Sequence, residues 1–396
     1  MKKAVILAAG WGTRMRPLTE TRPKPSLKIA GKTLVEHNLD QLNGLVEEVV
    51  VVIGYKGEII KNEIGDNYKD MRVRYATQKE PIGTGDAARA ALPFLDDQFL
   101  ILNGDDLYKR KDLEKCLEKN PSIMVKEVED PTGFGQMISK GGKIVDLVEK
   151  PVENVSNLVN IGAYYINRSF FEKGIEKSKR GEYEITDYIK RYLSEETINC
   201  HVAEVWDSVS YPWNLLESAE HIFDQCERNI EGEVEEGVVL EGTIYLGVGS
   251  VVKSGSRIEG PAYIGKDCVI GPNAYIRGRS SIEDDCYIGQ AVEVKNSIIG
   301  SGTRIPHLSY VGDSVIGEGC NLGAGTIIAN LRFEEEEIRT EVKGKMVKTG
   351  RKKMGAVLGD GVKTGINVSI MPGVMISSNT VIYPGETIKK NIKKDE

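Results

Sequence analysis

Residues 258–276 read IEGPAYIGKDCVIGPNAYI, with an aliphatic residue at every sixth position. The same spacing extends on both sides and holds for ten consecutive aliphatic residues, Leu240, Leu246, Val252, Ile258, Ile264, Ile270, Ile276, Ile282, Ile288 and Val294. If about half of all positions are apolar, such a run arises by chance with a probability on the order of 10⁻³. Hexads in which glycine often follows the aliphatic residue predict a parallel β-helix, in which about eighteen residues complete one triangular coil.

The hexad register slips twice and then resumes beyond an interruption. Its later members are Ile299, Ile305, Val311, Ile316, Leu322, Ile328, Leu358, Thr364, Ile370, Ile376, Ile382 and Ile388. The interruption, LRFEEEEIRTEVKGKMVKTGRKK at residues 331–353, is either a loop that lies over another surface or a solvated hairpin. Cys268 and Cys286 are eighteen residues apart, so we expect them to stack as small core side chains rather than to form a disulfide.

The first half of the chain has a different rhythm. Short aliphatic runs at residues 3–8, 48–53, 72–77, 99–102 and 123–128 alternate with helical patterns at residues 33–45, 85–92 and 113–118. This alternation predicts an α/β domain with a mostly parallel sheet. Residues 212–229 have a helical pattern and join the halves. We therefore predict a first domain over 1–225, a linker over 226–238, and a β-helix domain over 239–396 with a charged insertion at 331–353.

Composition narrows the function classes. The net charge of −7 disfavours non-specific nucleic-acid binding, and six cysteines without a CxxC pair disfavour a metal site or a disulfide framework. The sequence has no apolar run of about eighteen residues, so no membrane span is expected. The N-terminal apolar run, residues 4–9, is shorter than the core of a signal peptide, which indicates a buried first strand and a cytoplasmic protein.

The first predicted strand leads into LAAGWGTRMRPLT and then RPKP at residues 7–25, which we call the opening motif. A glycine-rich turn after a strand leaves backbone N–H groups free to hold phosphate oxygens. The glycine spacing is that of neither a dinucleotide fingerprint nor a Walker loop. Arg14 and Lys24 follow the turn, and both cations are suited to neutralising a triphosphate.

The opening motif resembles that of the sugar-1-phosphate nucleotidylyltransferases, LA[AG]GxGTR followed by a PKP-type lysine. The resemblance implies a Rossmann-like nucleotidyltransferase fold, catalytic roles for Arg14 and Lys24, and Mg²⁺ at Asp105 of the NGDD stretch. It also implies nucleotide contacts from Leu7, Ala8, Ala9, Gly10, Gly12, Thr13, Gln78, Gly83 and Thr84. Sugar-phosphate contacts are implied for Gly135, Glu149, Lys150 and Asn160.

The family's second metal carboxylate lies in a W-x-D-x-G-x-P segment, which reads WDSVSYP here at residues 206–212. The direct match is Ser208, while Asp207 stands one residue earlier. We predict Asp207 as the second ligand through a one-residue bulge, with a differently held metal as the alternative. Attack of a sugar phosphate on the α-phosphorus gathers several negative charges, which Mg²⁺, arginine and lysine offset.

Residues 307–330, HLSYVGDSVIGEGCNLGAGTIIAN, resemble the acetyltransferase half of the bifunctional bacterial uridylyltransferase/glucosamine-1-phosphate acetyltransferase. The resemblance implies that His307 is the general base that frees the amine to attack acetyl-CoA, a role suited to a pKa near neutrality. It assigns Ala324 to acetyl-CoA. It assigns the amino-sugar substrate to Arg277, Glu293, Lys295, Tyr310, Asn321 and Asn330. The basic residues of the insertion either meet coenzyme A phosphates or lie in a solvated loop.

The whole chain resembles the archaeal-type branch of such bifunctional enzymes, with a left-handed β-helix and a homotrimer implied. The first hypothesis is acetylation of glucosamine 1-phosphate and transfer of uridylyl from UTP. The second is a single-activity nucleotidylyltransferase for glucose or mannose 1-phosphate (UTP, dTTP or GTP), with the β-helix as an oligomerisation or regulatory module. The third is a sugar-nucleotide sensor, motivated by Ser208. UTP or dTTP, and glucosamine or galactosamine, remain open.

Overall fold

The computed structural model describes residues 2–178 and 181–393 of the chain. The chain divides into two compact units. The first consists of Met1–Trp11, Pro23–Ser26 and Leu34–Ser208, and the second of Gly12–Arg22, Leu27–Thr33 and Val209–Glu396. Two short stretches of the N-terminal sequence therefore belong to the unit that contains the hexads. Residue 1 and residues 394–396 of the predicted domains lie outside the described residues.

The elements up to residue 223 alternate between strands and helices. The strands are β1 Lys3–Ala8, β2 Lys28–Ile29, β3 Lys32–Thr33, β4 Glu48–Ile53, β5 Asn67–Tyr68, β6 Met71–Thr77, β7 Gln98–Asn103, β8 Asp106–Tyr108, β9 Ser122–Glu127, β10 Gly135–Lys140, β11 Lys143–Glu149, β12 Leu158–Asn167, β13 Ile198–Val202 and β14 Trp206–Ser208. The α-helices are α1 Leu34–Leu42, α2 Gly57–Ile64, α3 Thr84–Ala91, α4 Arg110–Cys116, α5 Ile185–Leu193 and α6 Asn214–Phe223. Short 3₁₀ turns cover Thr13–Met15, Lys24–Ser26, Leu92–Phe94 and Arg168–Phe171.

The first unit is built on a ten-stranded sheet in the order β10-β11-β13-β9-β12-β7-β1-β4-β6-β5. Its centre, β7-β1-β4-β6, is parallel, because helical crossovers connect these strands. β12 pairs antiparallel with both β7 and β9, so the sheet is mixed toward one edge. β4 is buried along its whole length, as expected for a strand covered on both faces. The predicted Rossmann-like α/β domain is confirmed.

The second unit contains three parallel sheets of eight short strands each. The first sheet consists of Asn229–Ile230, Ile244–Leu246, Ala262–Ile264, Ser280–Ile282, Ile298–Ile299, Val315–Ile316, Val357–Leu358 and Met375–Ile376. The second consists of Glu233–Val234, Val251–Val252, Val269–Ile270, Tyr287–Gln290, Arg304–His307, Asn321–Leu322, Lys363–Thr364 and Val381–Ile382. The third consists of Val239–Glu241, Arg257–Glu259, Tyr275–Arg277, Glu293–Lys295, Tyr310–Gly312, Ile327–Ile328, Ser369–Ile370 and Thr387–Ile388.

The hexad aliphatics form the interior of this prism. Ile258 stacks on Ile276 in the third sheet, and both side chains are fully buried, as are Ile264 and Ile282 in the first. Burial of each such side chain contributes about 1.5–3 kcal/mol relative to its exposure to water. Cys268 and Cys286 lie in the same core as free thiols. The predicted left-handed β-helix is confirmed.

The charged insertion forms an antiparallel hairpin of Arg339–Val342 and Lys345–Lys348. It packs on the last coils, because Ile338 is 1% exposed and the Asn391 amide donates to the Glu341 carbonyl at 3.1 Å. Its basic side chains Lys343 and Lys345 are exposed. The insertion therefore has features of both predicted alternatives, since its base lies over the solenoid and its strands form a hairpin with exposed lysines.

The helix predicted at residues 212–229 is shorter and belongs to the second unit, where α6 packs against β2. The division between units consequently falls after Ser208, ahead of the predicted boundary at 225. Within residues 2–178 and 181–393, the helices are all too short or too polar to cross a bilayer.

Candidate active sites

The opening motif begins where the central strand β1 ends. Leu7 and Ala8 are buried in β1, and Ala9 is 4% exposed. A side chain on Gly54 would come within 2.7 Å of the Ala9 carbonyl, so the chain after β4 packs closely against this turn. Gly10 is exposed. The turn thus presents open backbone at the carboxyl edge of a parallel sheet, where ligands bind in open α/β sheets.

The second part of the opening motif lies in the second unit. Gly12 has a φ of 59°, a left-handed conformation, and precedes the 3₁₀ turn that contains Thr13 and Arg14. The Gly12 carbonyl accepts from the Met15 amide at 2.8 Å and from Thr19 Oγ1 at 2.9 Å. The Arg14 guanidinium lies 5.5 Å from the ring centroid of Tyr211, a cation–π distance.

Lys24 and Asp105 form a charged pair in the first unit. Lys24 Nζ lies 2.6 Å from Asp105 Oδ2. The lysine side chain is 7% exposed, and the aspartate side chain is 40% exposed. A buried ammonium is thereby held beside a carboxylate that stays accessible, which is an arrangement suited to an anionic ligand with a cation.

Asp106, the residue after Asp105, is buried. It is not among the site residues predicted from the sequence. It accepts from the Asn103 amide at 3.1 Å, and Ser208 hydrogen-bonds to it. Burial, followed by the neighbouring charge of Asp105, raises its pKa well above the ordinary aspartate value, although Lys24 opposes the change. The Asp106 carboxyl therefore binds protons more readily than a solvated one.

The pairing of β14 with β8 aligns Ser208 with Asp106 and Asp207 with Leu107. Successive side chains of a strand point to opposite faces, so Ser208, not Asp207, shares the face of Asp106. β14 contains no bulge that would bring Asp207 to this face. The predicted role of Asp207 as a metal ligand stays a prediction that this register disfavours.

Hard oxygen donors are the ligands that Mg²⁺ prefers, and it needs few of them from protein. Asp105, Asp106 and Ser208 supply such oxygens, so the residues present fit a magnesium ion completed by phosphates and water. Over the described ranges there is no cluster of three or more His, Cys, Asp or Glu side chains arranged as a preformed metal site.

The predicted base-binding residues lie at the start of α3. Gln78 is 6% exposed, and its Nε2 donates to the Gly83 carbonyl and to Asp86 Oδ2, both at 3.0 Å. Thr84 Oγ1 accepts from the Ile185 amide at 3.1 Å. The amide of Gln78 is therefore oriented by the first turn of α3, and this orientation fixes the hydrogen-bonding edge that it presents.

The predicted sugar-binding residues converge on the edge formed by β10, β11 and β12. Gly135 pairs with Glu149, and a side chain on Gly135 would approach Glu149 Oε2 at 2.8 Å. Lys150 Nζ lies 3.7 Å from Glu149 Oε1. Asn160 Nδ2 donates to the Tyr164 hydroxyl at 2.7 Å. Gly135, Glu149 and Asn160 lie on β10, β11 and β12, and Lys150 directly follows β11.

On the β-helix, four predicted acetyltransferase residues share the outer face of the third sheet. Arg277 pairs with Lys295, and Glu293 pairs with Tyr310, in successive parallel coils. Arg277 also binds Glu293 with an Nη1–Oε1 distance of 3.1 Å. Burial, then the carboxylates of Asp313 and Glu293, raises the pKa of Tyr310, which keeps its hydroxyl protonated as a donor.

Asp313 links these residues and was missed as a site residue. Its carboxylate is 4% exposed and accepts from Asn330 Nδ2 at 2.5 Å and from Asn296 Nδ2 at 2.7 Å. Lys295 Nζ lies 3.8 Å from it, and Arg351 of the insertion lies 3.9 Å from it. Asp313 therefore orients the two predicted substrate contacts, Lys295 and Asn330.

His307 ends a strand of the second sheet, where the coil turns toward the third. Its side chain is exposed, and its carbonyl accepts from Ser309 Oγ at 2.8 Å. Asn321 lies on the next coil of the same sheet and is also exposed. The Ala324 carbonyl accepts from the Asn367 amide at 2.8 Å. The imidazole is thus accessible at the corner between the second and third sheets.

The chain is similar to known proteins over its full length. A family profile described as "Nucleotidyl transferase" matches residues 3–224, and one described as "GMPPB C-terminal domain" matches residues 258–396. A protein of Methanocaldococcus jannaschii named "Bifunctional protein GlmU" is 42% identical over 99% of this chain and 96% of its own length. This chain belongs to the nucleotidyl transferase family, in its bifunctional GlmU branch.

Further relatives agree with this assignment. A "Bifunctional protein GlmU" of Methanococcus maripaludis is 44% identical over 99% of this chain and 96% of its own length. A "Bifunctional sugar-1-phosphate nucleotidylyltransferase/acetyltransferase" of Sulfurisphaera tokodaii is 39% identical over 98% of both chains. A solved UDP-glucose pyrophosphorylase complexed with UDP-glucose aligns with a TM-score of 0.52, covering 57% of this chain and 99% of that one, at 23% identity. That likeness supports the fold of the first half.

Proposed function

We propose that this chain is a bifunctional enzyme that N-acetylates glucosamine 1-phosphate with acetyl-CoA and transfers uridylyl from UTP to N-acetylglucosamine 1-phosphate with Mg²⁺. The observation that carries the proposal is the presence of two separate constellations in one chain. One is the buried Lys24 beside the accessible Asp105. The other is the Asp313-centred cluster of amides and cations on the β-helix that carries His307.

In uridylyl transfer, Lys24 and Arg14 neutralise the triphosphate and the pyrophosphate that leaves. The sugar phosphate oxygen attacks the α-phosphorus in line, and positioning by Glu149, Lys150 and Asn160 replaces the need for a covalent nucleophile. Asp105, with Asp106 and Ser208 beside it or with Asp207, would hold Mg²⁺. Bound Mg²⁺ supplies charge neutralisation at the phosphate oxygens.

In acetyl transfer, the amine of glucosamine 1-phosphate must be neutral to attack the thioester. The exposed His307 accepts that proton as the general base, while Arg277 and Lys295 bind the sugar phosphate. Asn321 and Asn330 position the sugar, Glu293 orients the amine, and Ala324 lies against the thioester. The C–N bond forms as the C–S bond breaks, and coenzyme A leaves as the thiol.

The proposed assembly is a homotrimer in the cytoplasm. The trimer is supported by exposed apolar side chains of the solenoid, with Leu308 64% exposed, Ile327 41% and Ile366 55%. Burying such side chains between subunits would stabilise the assembly. Light scattering should give a mass of three chains, and a monomer at micromolar concentration would contradict this part of the proposal.

Two variants test the activities separately. His307→Ala should lower acetyl transfer by about 10²–10⁴-fold, measured as thiol release from acetyl-CoA, and leave pyrophosphate release unchanged. Asp105→Ala should do the reverse. The exposed His221 provides a matched control, since His221→Ala should change neither.

Absence of acetyl transfer in the wild-type protein, with pyrophosphate release intact, would favour the single-activity alternative. Glucose or mannose 1-phosphate with UTP, dTTP or GTP would then be the substrates to compare. The match of the β-helix to the "GMPPB C-terminal domain" profile is the observation that motivates this comparison. Absence of both activities, with sugar nucleotide still bound, would favour a sensor.

A further inference from the structure

Residues 20–22 of the opening motif are held by the β-helix coils of their own unit. Arg22 Nη2 lies 3.0 Å from Asp360 Oδ2, and Arg22 Nη1 binds Glu318. Thr21 Oγ1 donates to the same Asp360 carboxylate. The Arg22 and Asp360 side chains are only 14% and 15% exposed. We call Thr21, Arg22, Glu318 and Asp360 the Arg22 cluster.

The contacts extend over successive coils. Glu318 and Asp360 lie on adjacent coils, where the Glu318 amide donates to Asp360 Oδ1 at 2.8 Å. On the following coil, the Ser378 amide donates to Glu20 Oε2 at 2.8 Å, and Ser377 Oγ donates to Glu20 Oε1 at 3.1 Å. Partly buried charge pairs of this kind fix the geometry of the groups that they join.

The segment that follows Lys24 is held by the same solenoid. The Ala30 amide donates to Ser281 Oγ at 2.8 Å, and the Gly31 amide donates to Glu283 Oε2 at 3.1 Å. Ser281 and Glu283 lie in or just after a strand of the first sheet, as Glu318 and Asp360 do. Residues 20–22 and 30–31 of the second unit are therefore both anchored to β-helix coils.

The segment that contains Thr21 and Arg22 also contacts the glycine turn of the opening motif, through Thr19. Thr19 is 2% exposed, and its hydroxyl donates to the carbonyl of Gly12, the residue before Thr13 and Arg14. Leu18, 3% exposed, lines a cavity of about 30 Å³ together with Ile298 and Val315 of the first sheet. The segment between Gly12 and Arg22 is thus held by apolar packing as well as by charge.

We propose that the Arg22 cluster positions Arg14 for uridylyl transfer, so that the β-helix coils, besides their own reaction, set the geometry of the part of the opening motif that belongs to their unit. Arg22 is a positioning residue, since its contacts in the structure are to protein carboxylates. The inference rests on the proposed uridylyl transfer. A displacement of catalytic cations by about 1 Å can reduce a rate by about 10²-fold, which makes such a role measurable.

The test compares Arg22→Gln, Glu318→Gln and the double variant of the full-length protein. Arg22→Gln should lower kcat/KM of uridylyl transfer by about 10- to 100-fold, with acetyl transfer within about twofold of wild type. The double variant should lose little more than Arg22→Gln alone, because the two residues act through one contact. Arg228→Gln, at an exposed arginine that donates to the Gly242 carbonyl at 2.7 Å, is the matched control and should change neither activity.

Limited trypsin digestion with peptide mapping gives a second readout that needs no activity. Arg22→Gln should increase cleavage after Arg14, the basic residue of this segment that proline does not follow, while Arg228→Gln should not. Unchanged uridylyl transfer and unchanged cleavage in Arg22→Gln would overturn the proposal, as would an equal loss of both activities with a lowered melting temperature. Absence of uridylyl transfer in the wild-type protein would instead contradict the proposed function, and the cleavage pattern would still decide whether Arg22 holds the segment.

Discussion

Ser208 lies directly opposite Asp106 in the antiparallel pair of β14 and β8. The hydroxyl hydrogen-bonds to a buried carboxyl whose pKa is raised by burial and by the charge of Asp105. A carboxylate at position 208 would bring a third negative group to this place. Compared with an aspartate at this position, the serine therefore offers less negative charge to a cation. It also avoids repulsion between neighbouring carboxylates in the protein without metal.

The variant Ser208→Asp tests this relationship. In EDTA its melting temperature should fall, because like charges meet at a site of low exposure, with a cost on the order of 1–3 kcal/mol. Millimolar Mg²⁺ should raise its melting temperature more than that of the wild type, by mass action on the native state. The half-saturating Mg²⁺ concentration for uridylyl transfer should also fall. Differential scanning fluorimetry and a magnesium titration measure the two effects.

The matched variant is Asp207→Asn. If Ser208→Asp left both the thermal shift and the magnesium titration as in the wild type, while Asp207→Asn strongly raised the half-saturating magnesium concentration, the register argument would be wrong. Asp207 would then be the ligand in the active protein, as predicted if a one-residue bulge shifts the W-x-D-x-G-x-P segment.

Asp313 yields a prediction for the acetyltransferase half. Asp313→Asn retains the side-chain shape but leaves Lys295 and Arg351 without their shared carboxylate and offers fewer acceptors to Asn296 and Asn330. We expect kcat/KM for glucosamine 1-phosphate to fall by at least about tenfold, chiefly through KM, with uridylyl transfer unchanged. Steady-state kinetics of thiol release measures this.

Asp285 is a suitable control for that substitution. It has a positive φ of 55°, like the 49° of Asp313, but its side chain is 67% exposed in an ion pair with Arg304 at 3.5 Å. Asp285→Asn should leave acetyl transfer within about twofold, as expected for an exposed pair. Equal effects of the two substitutions would show that Asp313 has no special role.

Much of this architecture is predictable because burial requires apolar residues at regular spacings in the sequence. The strand predicted at Lys3–Ala8 has its predicted bounds, since a strand covered on both faces must be apolar throughout. The cluster of Asn296, Asp313 and Asn330 could also have been predicted from the sequence. Asn296, Asp313 and Asn330 recur every seventeen residues, as do the inward Val294 and Val311, so that polar stacking follows from the slipped register.

Other features depend on contacts that no local pattern encodes. Arg351 reaches Asp313 from the insertion, whose path is set by packing on the last coils. The assignment of residues 12–22 and 27–33 to the second unit was likewise missed. One signal was present: Ile298 and Val315 occupy outward hexad positions and yet are apolar, and each is 3% exposed because the opening motif covers that sheet.

Glu283 predicts a pH dependence of stability. It is 2% exposed, and burial raises its pKa from 4.5 to about 7, against the opposing effects of Ser281 and Lys28 and with a small reinforcing effect of Asp284. Between about pH 5 and 7 the folded protein therefore keeps a proton that the unfolded chain has lost, so its contribution to stability falls as pH rises through this window. Glu283→Gln removes the effect and preserves an acceptor for the Gly31 amide.

The melting temperature of Glu283→Gln relative to wild type should consequently rise from pH 5 to pH 8, by an amount equivalent to about 1–3 kcal/mol. Thermal melts in matched buffers measure it. The exposed Glu233 provides the control, since Glu233→Gln should keep a constant offset from wild type. A constant offset for Glu283→Gln as well would contradict the prediction.

The close packing around Gly31 predicts that a side chain at this position in the β2–β3 turn would lower the stability of the protein. Its φ is 79°, and an added Cβ would lie 2.1 Å from the Tyr263 hydroxyl oxygen. Tyr263 cannot easily yield, because its ring stacks on Tyr245 with centroids 4.9 Å apart. Gly31→Ala should therefore destabilise the protein by about 2–4 kcal/mol, combining backbone strain with displacement of the ring.

Gly319→Ala isolates the strain, since Gly319 has a φ of 62° and open space around its Cβ position, and it should cost only about 1 kcal/mol. Chemical denaturation of the two variants compares these costs, and equal midpoints would mean that the turn moves away from Tyr263 without loss.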